Sequence, residues 1–139
     1  MAEFKVNISD KDGKTYHTII KKHYANAFIG RKIGDEIDGL FVGLPGYKLV
    51  ICGGCDKQGF PMRKDIAGPG RKRILVSESV GYHPGVKGKR KKKSLRGNTI
   101  SPDIYLINLK ITQHGPGSIS ENLKKFEEEV NKDDKEKKT

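Results

Sequence analysis

The N-terminal residues alternate regularly between apolar and polar side chains. In residues 2–9 every second position from Phe4 is apolar, so that these side chains share one face of an extended chain. Residues 10–13 (DKDG) are typical of a turn, and residues 15–20 resume with β-branched side chains. The pattern therefore predicts a β-hairpin at the start of the chain.

Short apolar runs farther along the chain predict more strands. These runs are residues 40–42, 47–51, 73–77 and 104–112. The last one, written IYLINLKIT, has apolar side chains on both faces and gives the strongest strand pattern. Residues 25–29 fit either a helical turn or a short strand. Because glycines recur between the runs, the sequence predicts a mainly β fold, a small, partly open β-barrel.

The pattern changes to a helical period after residues 115–117 (GPG). Ser118 and Glu121 have the spacing of a capping box, in which they would occupy the N-cap and N3 positions. The apolar residues that follow at i, i+3 and i+7 are Leu123, Phe126 and Val130. We therefore expect one C-terminal α-helix over 118–131, followed by a frayed or disordered mixed-charge tail.

The length and composition fit a small core with polar extensions. The chain has 139 residues, of which 34% are hydrophobic and 32% charged. We expect a β-barrel-like domain over 1–113 that includes an irregular basic loop insertion at 81–97, and a helix with a polar tail over 114–139. No run has the length of a signal peptide or a membrane span, so we expect a cytoplasmic protein with reduced thiols.

The positive charge is concentrated in one part of the chain. Residues 57–96 carry 13 Lys and Arg against Asp65 and Glu78, which accounts for the entire net charge of +11. A charge that served only solubility would be spread over the sequence. A local field of this strength is suited to a polyanion such as RNA.

Three basic clusters within this window are candidates for phosphate contact. The positive charges within 87–96 repel one another in the free protein. Binding to a phosphate backbone would remove this repulsion and release counterions. The candidate residues in these clusters are Arg63, Lys64, Arg71, Lys72, Arg73, Lys87, Lys89, Arg90, Lys91, Lys92, Lys93 and Arg96. Asn98, just beyond the window, is a further candidate that could equally serve as a structural cap or turn residue. The alternative is a solvated basic surface. Because Phe60 and Tyr82 are the only aromatic residues in the window, backbone and shape recognition is favoured over base stacking.

The only two cysteines, Cys52 and Cys55, have the spacing C-x-x-C. This spacing is compatible with half a zinc site, a redox pair or a tight turn. A structural zinc needs four ligands, and a redox pair needs a helix that begins at the motif; the sequence offers neither. We therefore interpret Gly53-Gly54 as a turn after a strand, with incidental cysteines and no metal or cofactor.

An enzyme is the alternative class of function, and the sequence offers little for it. Asp35, Glu36 and Asp38 could hold Mg²⁺ in an RNA-processing enzyme, but they lie in a glycine-bounded segment that resembles a solvated turn. The four histidines are scattered and lack a nucleophile partner. We therefore expect a non-catalytic protein without a small-molecule substrate or a membrane partner.

Five stretches of the sequence resemble one protein family. They are FIGRKIGDEIDG (28–39), LPGYKL (44–49), GGCDKQGFPMR (53–63), GPGRKR (68–73) and RGNTISPDIYLINLK (96–110). In this order they resemble the small-subunit ribosomal protein eS6 family, which archaea and eukaryotes share. The resemblance implies a structural constituent of the small ribosomal subunit with a β-barrel-like body and no catalytic activity.

The resemblance also implies partners and contact residues. The partners are the small-subunit rRNA and neighbouring ribosomal proteins, and the contacts are Arg63, Lys64, 71–73 and 87–96. The length is similar to that of the archaeal form, so we do not expect the long basic helix and phosphorylated tail of eukaryotic members. The family usually has small hydroxylated residues where this chain has its cysteines, which favours a turn over a zinc site.

Overall fold

The computed structural model describes residues 3–79 and 81–138 and is built mainly from strands. The elements in chain order are β1 (Glu3–Ser9), β2 (Thr15–Lys21), α1 (Lys22–Asn26), β3 (Glu36–Asp38), a 3₁₀ helix (Gly39–Val42), β4 (Lys48–Asp56), β5 (Arg71–Val76), β6 (Lys91–Arg96), β7 (Ile104–Gln113) and α2 (Ile119–Lys138). The mainly β fold with one C-terminal helix is confirmed.

A five-stranded sheet in the order β2-β1-β7-β4-β3 forms the body of the protein. The strand β1 pairs antiparallel with β2 and parallel with β7, and β4 pairs antiparallel with both β7 and β3. Register shifts in the β4–β7 pair bend the sheet. The sheet thereby curls into a half-barrel around its apolar face.

The strands β5 and β6 form a separate antiparallel hairpin. Main-chain hydrogen bonds through Pro61 and Met62 join this hairpin to the body. The Met62 amide donates to the Gly54 carbonyl on β4 at 2.8 Å, and the Arg96 amide on β6 donates to the Pro61 carbonyl at 2.9 Å. Residues 61–62 therefore lie between the two sheets as a short bridging segment.

The main core lies inside the half-barrel, and α2 covers part of it. The buried residues of α2 are Ile119, Leu123 and Phe126, which belong to the same cluster as the inward-facing residues of β1 and β7. The Phe126 ring meets Tyr24 edge-on, with 4.9 Å between ring centroids. It also lies so close to Gly43 that a Cβ there would come within 2.5 Å of it. The stripe predicted from the helical period thus packs on the protein's own body.

Five strand predictions, for 2–9, 15–20, 47–51, 73–77 and 104–112, are confirmed within the described residues. Residues 40–42, which we expected to form a strand, lie in the 3₁₀ helix. Its N-terminus is capped by Asp38, whose carboxylate accepts a hydrogen bond from the Leu40 amide at 3.3 Å. The helix ends at Gly43, which adopts a left-handed conformation with φ of 82°.

The irregular structure predicted for all of 81–97 is wrong for residues 91–96, which form β6. This segment also contributes to a small core. Leu95 is buried together with Val76, Tyr82 and Ile66 in a second, smaller cluster. One buried leucine and the apolar side chains of β5 are enough to order a strand that is otherwise almost entirely charged.

The turn predicted at Gly53-Gly54 is also wrong, because β4 continues through both glycines to Asp56. The register against β7 shifts between Ile51 and Gly53, so the glycines form a bulged part of the strand. A Cβ on Gly54 would lie 2.2 Å from the Leu106 carbonyl oxygen, so β7 approaches too closely for a side chain there.

The helix predicted over 118–131 is longer in the structure. The helix α2 continues from Ile119 to Lys138. Ser118 directly precedes it, as the capping box predicts, and its carbonyl accepts the Asn122 amide at 3.1 Å.

Candidate nucleic-acid interface

The pairing of β5 with β6 places their apolar side chains on one face. Ile74, Val76 and Leu95 share this face, since residues that pair directly across an antiparallel ladder point to the same side. With Ile66 and Tyr82 they form the second core cluster. This packing fixes the hairpin and determines which of its side chains point outward.

The opposite face of the hairpin carries charge and one exposed apolar residue. Arg73 and Lys92 are exposed on it, beside Leu75, which is 59% exposed. Most of the residues predicted to contact RNA are exposed on one or the other face of the hairpin or in the adjoining loops, namely Lys64, Arg71, Lys72, Arg73, Lys87, Lys89, Arg90, Lys91 and Lys92. Lys72 and Lys91 lie on the same face as Leu95 and Val76, so the exposed charge is distributed over both faces of the hairpin.

Lys93 differs from its neighbours because it lies partly against the second core cluster. Its ammonium nitrogen is 5.5 Å from the centroid of the Tyr82 ring, within the range of a cation–π contact. Tyr82 itself is buried. Lys93 thus contributes to the packing of the hairpin as well as to its charge.

Arg71 is held in a fixed orientation at the start of β5. Its Nε donates to Asp56 Oδ2 at 2.8 Å, and its Nη2 donates to the side-chain oxygen of Gln58. The guanidinium lies over the Phe60 ring, 4.6 Å from the centroid. An arginine fixed at three points presents its remaining donors in one direction, with little conformational entropy left to lose on binding.

The buried carboxylate of Asp56 connects the body to the hairpin. Its Oδ1 accepts the backbone amides of Gln58 and Phe60 at 3.0 and 2.9 Å, and its Oδ2 accepts Arg71 and Arg96 at 2.8 and 3.3 Å. Burial by itself raises the pKa of Asp56. The hydrogen bonds and the positive charge of Arg71 outweigh this effect and lower the pKa below its usual range.

Arg96, one of the predicted RNA contacts, is buried at the end of β6, with 7% of its side chain exposed. Its guanidinium is directed at Asp56 and also donates to Ser101 Oγ at 2.8 Å and to Asp103 Oδ2 at 3.5 Å. These partners come from β4 and from the loop before β7. Arg96 therefore lies between the two sheets rather than on the charged surface.

Arg63 and Lys64 lie on the chain that follows the bridging segment. Arg63 donates from Nε to Asp65 at 2.7 Å and from Nη1 to Ser79 Oγ at 2.8 Å. The hydrogen bond from Arg63 lowers the pKa of Asp65. Asn98 donates from Nδ2 to the Lys64 carbonyl at 3.2 Å, so this predicted contact residue also supports the loop.

The two cysteines are not arranged for thiolate chemistry. Cys52 is exposed and Cys55 is half-buried. Burial, followed by the negative charge of Asp56, raises the pKa of the Cys55 thiol, while a backbone hydrogen bond from Leu106 lowers it by less. Among the side chains that the structure describes, no three from His, Cys, Asp or Glu lie close enough together to hold a metal ion.

The acidic cluster considered as a magnesium site has local structural partners instead. Asp35 accepts the Lys32 amide at 2.9 Å, and Asp38 caps the 3₁₀ helix. Glu36 lies 3.7 Å from the Lys48 ammonium.

In the described part of the chain, no helix is long and apolar enough to cross a membrane.

Sequence reasoning missed the role of Asp56, which it placed only at the edge of the basic window. The available local signal is the Asp-x-Gln-x-Phe spacing, since an aspartate often accepts amides two to four residues onward in a turn. The ion pairs come from Arg71 and Arg96, which lie 15 and 40 residues away. No local pattern reports contacts over such separations.

The sequence of this chain is similar to those of one known protein family. The family described as ribosomal protein S6e matches residues 4–124. Three similar proteins, each called small ribosomal subunit protein eS6, come from Methanocella arvoryzae, Archaeoglobus fulgidus and Methanococcus maripaludis. They are 49%, 47% and 54% identical to this chain over 122, 128 and 113 residues, respectively. The matches cover 87%, 91% and 81% of this chain, and 86%, 99% and 89% of the respective relatives.

Proposed function

Because the chain belongs to the ribosomal protein S6e family, we propose that it is a structural constituent of the small ribosomal subunit and binds the small-subunit rRNA through the β5–β6 hairpin and its adjoining loops. The observation that carries the proposal is the surface of exposed lysines and arginines on an ordered hairpin. The names of the relatives support the place in the small subunit.

The exposed cations act on the phosphate backbone. Each Lys or Arg that neutralises a phosphate releases condensed counterions, so affinity comes mainly from charge and falls with salt. Arg73 and Lys92 project from a face that is fixed by the second core cluster, and Arg71 is oriented by Asp56. Such contacts recognise the shape of an RNA helix and position the protein on it. They carry little information about the RNA sequence.

Arg96 and Asn98 act indirectly in this proposal. Arg96 is neutralised by Asp56 and Asp103, so its charge is used within the protein. Its ion pair holds the end of β6 against β4, which fixes the angle of the hairpin. Asn98 holds the Lys64 carbonyl and thereby the loop that carries Arg63 and Lys64.

The body has a positioning role and performs no catalytic step. We assign the protein to the cytoplasm, within the small subunit, where neighbouring ribosomal proteins are its further partners. The half-barrel supplies the rigid support, and the hairpin and loops supply the RNA contacts.

A map of protein–RNA cross-links on purified small subunits tests this function. We expect near-stoichiometric recovery of the chain with the subunit, and cross-links concentrated on residues 63–64, 71–73 and 87–93. A mainly free pool would refute the ribosomal role. Stoichiometric recovery with cross-links confined to other parts of the chain would refute the assignment of the hairpin as the contact surface.

A further inference from the structure

A groove of about 530 Å³ lies on the outer side of the half-barrel, next to the bridging segment. Its lining comes from β4, from the chain that follows residue 60 and from β7. Its lining residues include Gly53, Met62, Arg63, Lys64, Asp65 and Asn108. The groove is separate from the charged face of the hairpin, although Arg63 and Lys64 border it.

Gly53 leaves this groove open at its base. A Cβ on Gly53 would meet no atom within 4 Å, whereas a Cβ on Gly54 would collide with the backbone of β7. The close approach of β7 thus explains why residue 54 is a glycine, but no neighbouring atom explains why residue 53 is one. A glycine that faces open space in the middle of a strand marks a place where another group can approach the backbone closely.

Hydrogen-bonding groups border the same space. Asn108 accepts a hydrogen bond from Asn7 Nδ2 at 3.2 Å through its Oδ1, and within the described chain its Nδ2 makes no hydrogen bond. Arg63 is fixed by Asp65 and Ser79 through Nε and Nη1, and its Nη2 makes no hydrogen bond to any described residue. Two pre-oriented donors therefore remain available at the groove.

From this arrangement we infer that the groove binds a single unpaired nucleotide of RNA. The base lies against the backbone at Gly53, with Asn108 Nδ2 donating to an acceptor on the base or the ribose. Arg63 and Lys64 contact the adjoining phosphate. This inference rests on the proposed function, and it adds a subsite for a nucleotide displaced from a helix.

The shape and charge of the groove favour this ligand over a paired helix. The bases of a paired helix stay stacked inside the duplex, so only a nucleotide that has left the stack can lay its base in the groove. The groove combines apolar side chains (Met62, Pro61) for the base with Arg63 and Lys64 for the phosphate; Asp65, the ion-pair partner of Arg63, also lines it, so these three charged residues leave a net positive charge. A peptide would bring no negative charge to pair with Arg63 and Lys64 unless it were acidic.

The test compares two RNA hairpins that are identical except for one bulged 4-thiouridine. Wild-type protein binds the bulged hairpin at least about fivefold more tightly than the fully paired one at low salt. On irradiation, the bulged nucleotide cross-links to the tryptic peptides 49–57 or 58–63. Gly53→Val fills the groove, and we expect it to remove the preference while affinity for the paired hairpin stays unchanged.

Two further variants control for folding and for nonspecific effects. Gln113→Val introduces the same side chain at an exposed position at the end of β7 that does not line the groove. It should keep the preference. Asn108→Asp retains the acceptor for Asn7 and puts a negative charge at the groove, so it should remove the preference even if Gly53→Val does not fold.

The outcomes separate this inference from the proposed function. If wild type binds both hairpins equally, the groove does not take a nucleotide, although RNA binding through the basic hairpin stands. A preference that survives in Gly53→Val and Asn108→Asp also overturns the inference. If neither RNA binds in low salt, the proposed function fails, and the groove inference fails with it.

Discussion

Replacing Asp56 with asparagine tests whether the buried carboxylate holds the two sheets together. Asparagine has nearly the same shape, so the change removes the charge and one acceptor without opening a cavity. The Arg96 guanidinium would then be left with Asp103, 3.5 Å away, whose side chain is 72% exposed. The backbone amides of Gln58 and Phe60 could still share the remaining oxygen.

The size of the effect follows from the burial of the partners. Arg96 is 7% exposed, and removing one partner of a buried ion pair costs about 3–5 kcal/mol because the other charge is left uncompensated. Arg71 is 38% exposed, so losing its ion pair adds less than about 1 kcal/mol. We expect Asp56→Asn to lower the free energy of unfolding by about 3 kcal/mol, because Asp103 remains nearby.

Urea unfolding followed by circular dichroism at neutral pH measures this loss. The matched control is Asp65→Asn, which removes the exposed partner of Arg63 and should change stability by less than about 1 kcal/mol. Equal losses in the two variants would refute the argument that Asp56 is special. So would a loss below about 1 kcal/mol for Asp56→Asn with an unchanged dependence on urea.

The pH dependence of this difference gives a second test. The pKa of Asp56 is lowered in the folded protein, so its stabilisation is fully present above the unfolded pKa, about 3.9. It is lost as the pH falls through the folded value. The stability difference between wild type and Asp56→Asn should therefore be constant around neutral pH and shrink below about pH 4. A difference that grows on acidification would contradict the lowered pKa.

Three further predictions concern the hairpin, the glycines and the cysteines. Changing residues 89–92 to serine should lower the log–log salt slope of RNA binding by about 3.6, if each of the four contacts contributes as on duplex DNA. An unchanged slope would mean that they do not touch phosphates. Gly54→Ala should cost about 1–3 kcal/mol because of the Leu106 carbonyl, whereas Gly53→Ala should change stability by less than about 0.5 kcal/mol; equal urea midpoints would contradict the close approach. Replacing both cysteines with serine should leave folding and assembly intact, and one tightly held zinc per wild-type chain in metal analysis would disprove this.

The elements that the sequence predicts well are those whose pattern is set by a single buried face. Residues 3–9 alternate in sequence because they alternate between core and solvent, and Phe4 and Val6 are fully buried. The α2 stripe is predictable for the same reason, with Leu123 and Phe126 packed on the body. Periodicity carries this information without knowledge of the partner element.

The elements that were missed depend on partners far away in the sequence. The strand β6 looks like a solvated basic run, because only Leu95 in it is apolar, and its order comes from β5 and Tyr82. Gly53-Gly54 has the composition of a turn, and only the closeness of β7 shows that it is a strand. For the candidate interface, the composition alone shows where the positive charge is concentrated. Only the structure shows that Arg96 is buried.

The parallel pairing of β1 with β7 has a consequence for the order in which the chain folds during its synthesis. Asn7 on β1 hydrogen-bonds Asn108 on β7, a separation of 101 residues. The β1–β2 and β5–β6 hairpins use local contacts and can form while the rest of the chain is still being made. Until β7 emerges, β1 and β4 both have an unpaired edge beside exposed apolar side chains. A nascent chain stalled before residue 104 should therefore be prone to aggregation, although its basic hairpin is already complete.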